Sequence, residues 1–533
     1  MPVINHAGYA PLARQSSTTL TESNQRKTSA ASESLFAQAI STQLPLDSDD
    51  DYCIEQLTNI DNGNMDDEFS AIESIISEIG MGAYQWKLFW LCGMGWVADN
   101  MWLQGIASTL PKFQRDFDLS DSVAGLGITA ALIGMIFGSA GWGVCSDVIG
   151  RMPAFNLTLL MAGVCGIVSA FAPSFSILCI TFFSLALGVG GNLPVDGTLF
   201  LEFTPKKNQS LLTLMSIFWP VGQILVSIVA ILFIPSHSCP DFGPCDPASN
   251  RGWRILLFII GTITLFMVAG RLIFFRMLES PKFLLAAGRR DEAIDVLYQL
   301  AHENGVTITI DPDRFSVQSS APVSRRKSDL GWSKLKPLFS KDTRKTTVLI
   351  WLIWSLVSMG YIMFNGFLTK FLKFHGGKIP LSDTETYRNY VIISIFGVPG
   401  SIIGMYAVDT QLGRIGTMSL ATLGTSISLC LLTVFTSSNS QMIISCIESL
   451  LQNVMYGVIY SYTPEVFRTE SRGTAVGIAS ALSRIFGAIV PVVTGALIEV
   501  NLNIPLWISS SLIGLAFICM VMLPIETRGQ CTH

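Results

Sequence analysis

Apolar runs of about 20 residues recur along the chain, and no other feature narrows so sharply what it can fold into. A helix rises about 1.5 Å per residue, so roughly 20 apolar residues cross a bilayer core of about 30 Å. Backbone groups in that core find no water, so each run must satisfy its own as a helix. The runs fall at about 88–110, 123–144, 154–171, 175–200, 210–234, 253–275, 347–371, 388–408, 415–436, 441–462, 473–498 and 502–523. Reaching twelve requires splitting two close pairs, at Ala172–Phe175 and Thr436–Gln441. Composition agrees, with 14% charged residues against about 25% in ordinary soluble domains. The expected fold class is an all-α integral membrane protein with twelve transmembrane helices in two six-helix bundles.

Residues 1–85 are expected to be a disordered acidic tail ending in an amphipathic lead-in, FSAIESIISEIGMGAYQW, read as a lead-in helix or as one lying on the membrane surface. A first bundle over 86–275 follows, then a connection over 276–346, a second bundle over 347–523 and a tail over 524–533. The connection opens with SPKFLLAAGRRDEAIDVLYQLAHENG, whose apolar spacing predicts one or two amphipathic helices. The N-terminus lacks the continuous apolar core of a secretory signal, so the first helix is expected to act as its own insertion signal. An even span count puts both termini on one side. Most of the Lys and Arg bias lies in the central connection, which predicts that this side is cytoplasmic. The membrane is the plasma membrane or that of an intracellular vesicle or vacuole.

Several function classes find no support. No basic patch interleaved with aromatics suggests nucleic-acid binding. No cysteine or histidine spacing suggests a metal, no G-x-x-x-x-G-K-[ST] loop suggests ATP hydrolysis, and no nucleophile–base set suggests an enzyme. No cofactor is expected. The pair Cys239 and Cys245 in SHSCPDFGPCDP is a possible disulfide if that loop faces an oxidising space.

The two halves echo one another. Arg151 ends GVCSDVIGR and Arg414 ends AVDTQLGR 263 residues later; Glu202 in LFLEFTP and Glu465 in YTPEVFR share that offset. Two landmarks with one offset indicate duplication of a six-helix unit, and parallel repeats place a substrate site at the midplane between them.

These motifs resemble the major facilitator superfamily, on the branch of sugar porters, organic-ion transporters and synaptic-vesicle-protein-like transporters. Residues 143–151 resemble its G-x-x-x-D-x-x-G-R loop, and Leu278 to Leu284 its P-E-S-P-R-[WF]-L element. Tyr462 to Phe467 with Arg472-Gly473-Thr474 resemble the element after helix 10, and Leu523 to Gly529 a P-E-T-K-G ending. The resemblance implies alternating access, a cavity lined mainly by helices 1, 4, 7 and 10, and a gate latch. The latch residues are Gly143, Asp147, Gly150, Arg151 and Glu202, with Asp409, Arg414, Glu465 and Arg472 as counterparts. Sugar porters carry Q-Q-x-x-G in helix 7, where this chain reads IWLIWSLVSMGYIMFNGFL. Their helix-10 tryptophan falls on Tyr460 and their helix-4 arginine on Phe182. A hexose and that mode of proton coupling are therefore not implied.

A charge near the bilayer centre costs several kcal/mol, which makes each one a functional candidate. Asp99 (beside Asn100), Asp196, Glu448 and Arg484 qualify. Three acids against one arginine favour a cation, or acids that load protons. Asp99 is read as the proton or cation site and Arg484 as a partner of one acid. Trp102, Trp219, Gln223, Tyr361, Asn365 and Asn453 are candidates to shape the pocket. The function expected is secondary transport of a small polar or charged organic solute, proton-coupled, by a monomer in the lipid bilayer. The competing reading is a non-transporting sensor or vesicle-trafficking protein on the same scaffold.

Overall fold

The computed structural model describes residues 65–208, 211–239, 249–274, 277–310, 336–340, 343–374, 381–435, 437–467 and 469–527. Twelve long helices appear there: α1 (Ala83–Asp116), α2 (Asp121–Ile149), α3 (Arg151–Ser169), α4 (Phe175–Phe203), α5 (Phe218–Phe233) and α6 (Gly252–Phe274) in the first half. The second half holds α7 (Arg344–Asn365), α8 (Asp383–Ala407), α9 (Gly413–Val434), α10 (Ser438–Val466), α11 (Thr469–Val500) and α12 (Asn503–Val521).

Eleven of them, α5 counted together with the turn before it (Met215–Phe233), are long and apolar enough to cross a membrane. The exception is α1, which has the length, at 34 residues, but carries Asp99, Asn100 and Gln104 mid-helix. Those polar residues lower its hydropathy because they face the protein interior: Asp99 and Gln104 are buried.

Helix starts follow their caps. Ser120 and Ser174 accept from backbone N–H groups three residues on, and Ser382 forms a capping box with Glu385. Two runs break where the sequence showed none. The fifth begins with a short helix, Leu211–Leu214, and a 3₁₀ turn, Met215–Ile217, so α5 starts at Phe218 rather than near 210. The seventh splits after Asn365, and a short helix, Leu368–Phe374, continues it. An apolar run reports burial but not a change of helix axis.

The lead-in forms a helix, Met65–Ile79. Its stripe of Ile72, Ile75, Ile76 and Ile79 is buried in the protein, packed with the helices Pro281–Ala286 and Arg290–Glu303 of the central connection. The stripe is thus covered by protein rather than lipid. Glu73 on this helix bonds Lys206 at 2.8 Å and Lys282 at 2.6 Å.

One face of the molecule carries the lead-in, the central connection and the C-terminal segment, and is called the terminal face below. The other is the opposite face.

Candidate functional site

A cavity of about 190 Å³ lies between the halves. Its wall comes from α1, α2 and α5 on one side and α7, α10 and α11 on the other. Asp99 and Asn100 reach it from α1, Trp219 and Gln223 from α5, Tyr361 and Asn365 from α7, Asn453 from α10 and Arg484 from α11.

Several polar groups on the wall are held by hydrogen bonds. Asp99 Oδ1 accepts from Asn192 Nδ2 of α4 at 2.9 Å. Asn100 Nδ2 donates to the Trp219 carbonyl at 2.7 Å, and Asn365 Nδ2 to Gln452 Oε1 at 3.3 Å. Asn453 Nδ2 bonds the Ser449 carbonyl within its own helix. Tyr361 accepts from Gln104 Nε2 at 2.8 Å, and Gln104 Oε1 accepts from Tyr390 at 2.5 Å, a polar chain joining the halves. Arg484 Nη1 donates to the Met135 carbonyl of α2 at 3.3 Å.

Rings form much of one wall. Trp219 lies 4.8 Å from Tyr460 and stacks from behind on Trp96 at 5.0 Å. Trp354 lies 4.7 Å from Tyr460, and Tyr361 lies 5.3 Å from Tyr456. Such offset and edge contacts rigidify a pocket beyond their burial.

Three expected wall residues lie elsewhere. Asp196 is fully buried beside the cavity and pairs with Arg271 of α6 at 3.1 Å. Arg271 also donates to the Phe155 and Leu91 carbonyls and sits 3.5 Å over the Phe155 ring. Both charges are desolvated and answered, the condition under which a buried pair persists. Trp102 is buried against Gly166 and donates to Thr264 at 3.1 Å, a packing position. Glu448 is buried one turn before Gln452, off the wall, with Oε1 lacking a hydrogen-bond partner.

The balance of three acids against one arginine is thereby corrected. Arg271 neutralises Asp196, and the wall itself carries one acid, Asp99, and one base, Arg484. The two are not an ion pair within 4.0 Å, although Tyr460 lies in electrostatic reach of both. Asn192, Arg271, Gln104, Tyr456 and Trp354 were passed over in the sequence. Asn192 had one signal: it stands four residues before Asp196, on the same helix face. Arg271 had another, as a charge inside LFMVAGRLIFF.

At the terminal face the repeated landmarks meet. Arg151 lies 3.6 Å from Glu202, and Arg414 Nε lies 2.9 Å from Glu465. A second acid caps the following helix in each half: Glu279 accepts from the N–H of Arg151 at 2.9 Å, and Glu526 from those of Arg414 at 2.9 Å and Ile415 at 3.0 Å. Gly150 (φ 102°) and Gly413 (φ 65°) make the turn, and a Cβ on either would strike that acid. Asp409 is exposed and 3.8 Å from Arg414, a weak partner. Gly143 lies inside α2 with open space beside it. The side chains of Asp147 and Arg472 lie outside the described residues, as does Cys245; Cys239 is disulfide-bonded.

The comparisons with known proteins agree with this architecture. The family described as "Sugar (and other) transporter" matches residues 64–532. An uncharacterized MFS-type transporter of Schizosaccharomyces pombe is 35% identical over 86% of this chain and 88% of its own length. The MFS siderochrome iron transporter 1 of Ceriporiopsis subvermispora is 35% identical over 89% and 94%. The synaptic vesicle 2-related protein of Xenopus laevis is 27% identical over 88% and 83%. The xylose transporter XylE from E. coli, in a partially occluded inward open conformation, superposes with a TM-score of 0.66 over 84% of this chain and 99% of its own, at 16% identity. With its repeated half-bundles, central cavity and paired terminal-face landmarks, the chain belongs to the sugar (and other) transporter family of the major facilitator superfamily.

Proposed function

We propose that the chain is a secondary active transporter, moving a small polar or charged organic solute by alternating access with protons as the coupling ion. One observation carries the reading: a cavity between two repeated half-bundles holds one acid and one base with space between them. Asp99 is the proton site. It is buried, faces the cavity and is held by a neutral amide, so either protonation state can be accommodated there. The terminal face is cytoplasmic, and its Arg–Glu clusters hold each half rigid while the halves rock.

Uptake into proteoliposomes under an imposed pH gradient tests this, with organic acids, organic cations, sugars and nucleobases offered in turn. One class accumulates, and Asp99→Asn loses gradient-driven accumulation while retaining solute exchange. Accumulation by Asp99→Asn equal to the native protein's would remove Asp99 from the coupling. No gradient-driven uptake in any class would favour a sensor over a transporter.

A further inference from the structure

Two charges face the cavity, and they differ in kind. A carboxylate can be neutralised by a proton, whereas a guanidinium stays charged at any working pH. The only permanent charge on the described cavity wall is therefore Arg484. Among the described residues its one hydrogen bond runs from Nη1 to a backbone carbonyl, and none of their acids forms an ion pair with it. Further donors surround the same space: the Tyr456 and Tyr460 hydroxyls make no hydrogen bond among the described residues, and Gln452 Nε2 is buried without a partner. A wall with a fixed cation and spare donors repels organic cations and receives an anion. The rings of Trp219, Tyr361, Tyr456 and Tyr460, in edge contact with one another, give the wall an aromatic surface against which a flat group can lie. A cavity of about 190 Å³ is smaller than the roughly 300 Å³ or more of drug-sized pockets, so the flat group is a single ring or its equivalent.

We propose that the substrate is a planar organic monocarboxylate whose carboxylate seats on Arg484, and that Arg484 is the counter-ion shared by that carboxylate and Asp99. This rests on the transporter reading above. Asn192 from α4 bonds Asp99, and Asp196 from α4, Arg271 from α6, Tyr460 from α10 and Arg484 from α11 lie within electrostatic reach of it. Asp196 and Arg271 answer each other, which leaves Arg484 as the cation that shares the cavity wall with Asp99. In the empty site Arg484 balances ionised Asp99. When a carboxylate takes Arg484, two carboxylates share one cation, and one proton bound by Asp99 restores neutrality. Each anion then enters with one proton, and the loaded cavity carries the same net charge as the empty one.

Isothermal titration of the purified full-length protein with benzoate tests both parts. It is run between pH 6 and 9 in pairs of buffers with different ionisation enthalpies, with cyclohexanecarboxylate, benzylammonium and glucose as comparators. Benzoate binds, cyclohexanecarboxylate binds more weakly, and benzylammonium and glucose give no heat. At pH values where empty Asp99 is ionised, the buffer dependence reports one proton taken up per benzoate. Asp99→Asn still binds benzoate but takes up none. Arg484→Gln weakens benzoate by about 10- to 100-fold, and Arg484→Lys, which keeps the charge but not the fork, falls between. If Arg484→Gln does not fold, the Lys variant and the comparator series still decide. Benzoate that fails to bind, binds Arg484→Gln equally well, or binds without proton uptake across the whole pH range overturns the inference. Should proteoliposomes then accumulate another solute class on a pH gradient, the transporter reading survives and only the substrate class is lost.

Discussion

The two faces of the molecule are held together in different ways. At the opposite face polar bonds run from one half to the other. Lys112 of α1 reaches Asp383 of α8 at 2.6 Å, and Lys370 pairs with Asp121 of α2. Ser122 of α2 bonds Glu499 of α11, and Tyr387 of α8 donates to the Ser108 carbonyl of α1. At the terminal face no ion pair among the described residues joins the two half-bundles: Arg151 pairs with Glu202 and Arg414 with Glu465 inside their own halves, and Glu73 of the lead-in helix pairs with Lys206 and Lys282. On the terminal-face side of the seam the halves meet through uncharged contacts instead: Trp219 against Tyr456 on the cavity wall, and Ser216 close to Gly457. Charged bonds across a seam resist opening, whereas bonds within a half ride with it. On the alternating-access reading proposed above, this is the state sealed toward the opposite face, and the cross-half pairs are what must break for the cavity to open there.

The largest effect is expected at Asp383. Lys112 and Lys373 are both buried and share this acid, each at 2.6 Å. In Asp383→Asn two buried ammonium groups lose it, and breaking a buried pair from one side costs roughly 3–5 kcal/mol. The cost falls on the sealed state alone, because opening the face lets water reach both lysines. Such a bias raises the open fraction by about 100-fold or more. A cysteine at Ala107 on the cavity wall, in a background stripped of the other free cysteines, reads this through a membrane-impermeant thiol reagent applied from the opposite face. Unchanged labelling in Asp383→Asn would show that these bonds are not the seal.

How far this was legible in the sequence depends on distance along the chain. The spans were legible because each is a local run, and the repeat because Arg151, Glu202, Arg414 and Glu465 keep one offset. The cavity's polar residues on α1 and α7 were visible as polar breaks in apolar runs. Partnerships were not. Arg271 lies close to the end of its run, where a charge is ordinary and nothing local ties it to Asp196, and Asn192 is neutral, so no charge marks it as the partner of Asp99. Which face of a helix a residue occupies relative to five neighbours is set by packing, and a single run does not carry that information. The seal was hidden for the same reason: Lys112 and Asp383 lie 271 positions apart, outside or at the edge of their runs, where charges are ordinary.

An intermediate effect is expected at the terminal face. Glu526 caps α9 through the N–H groups of Arg414 and Ile415, and Glu279 caps α3 through that of Arg151. Glu526→Gln keeps one acceptor but removes the negative charge from the helix N-terminus, a loss of about 1 kcal/mol. Glu279→Gln should cost a similar amount, because the two halves are built alike here. Both should lower the melting temperature and leave Ala107 labelling where it was, since neither bond crosses the seam. A labelling change as large as that of Asp383→Asn would mean that the terminal-face clusters also set the balance between states.

The smallest effect is expected at Glu73, which ties the lead-in helix to Lys206 and Lys282. Burial pushes its carboxyl up, but the hydrogen bonds and charges of the two lysines outweigh that and hold it below its ordinary value of 4.5. A carboxylate depressed in the folded state stabilises it above the unfolded value, and that contribution fades as pH falls through the folded one. The tie is therefore intact at neutral pH and is lost only below about pH 4.5. The three side chains are partly exposed, so the net worth is about 0–1 kcal/mol and is screened by salt. Glu73→Gln should expose amides of Met65–Ile79 to hydrogen exchange by at most about fivefold at neutral pH, more in low salt than in high. The isoleucine stripe, not the ion pair, is then what keeps this helix docked. If the helix instead exchanges freely in Glu73→Gln, the two lysine bonds hold it, and the within-half pairs of the terminal face carry more than the comparison allows.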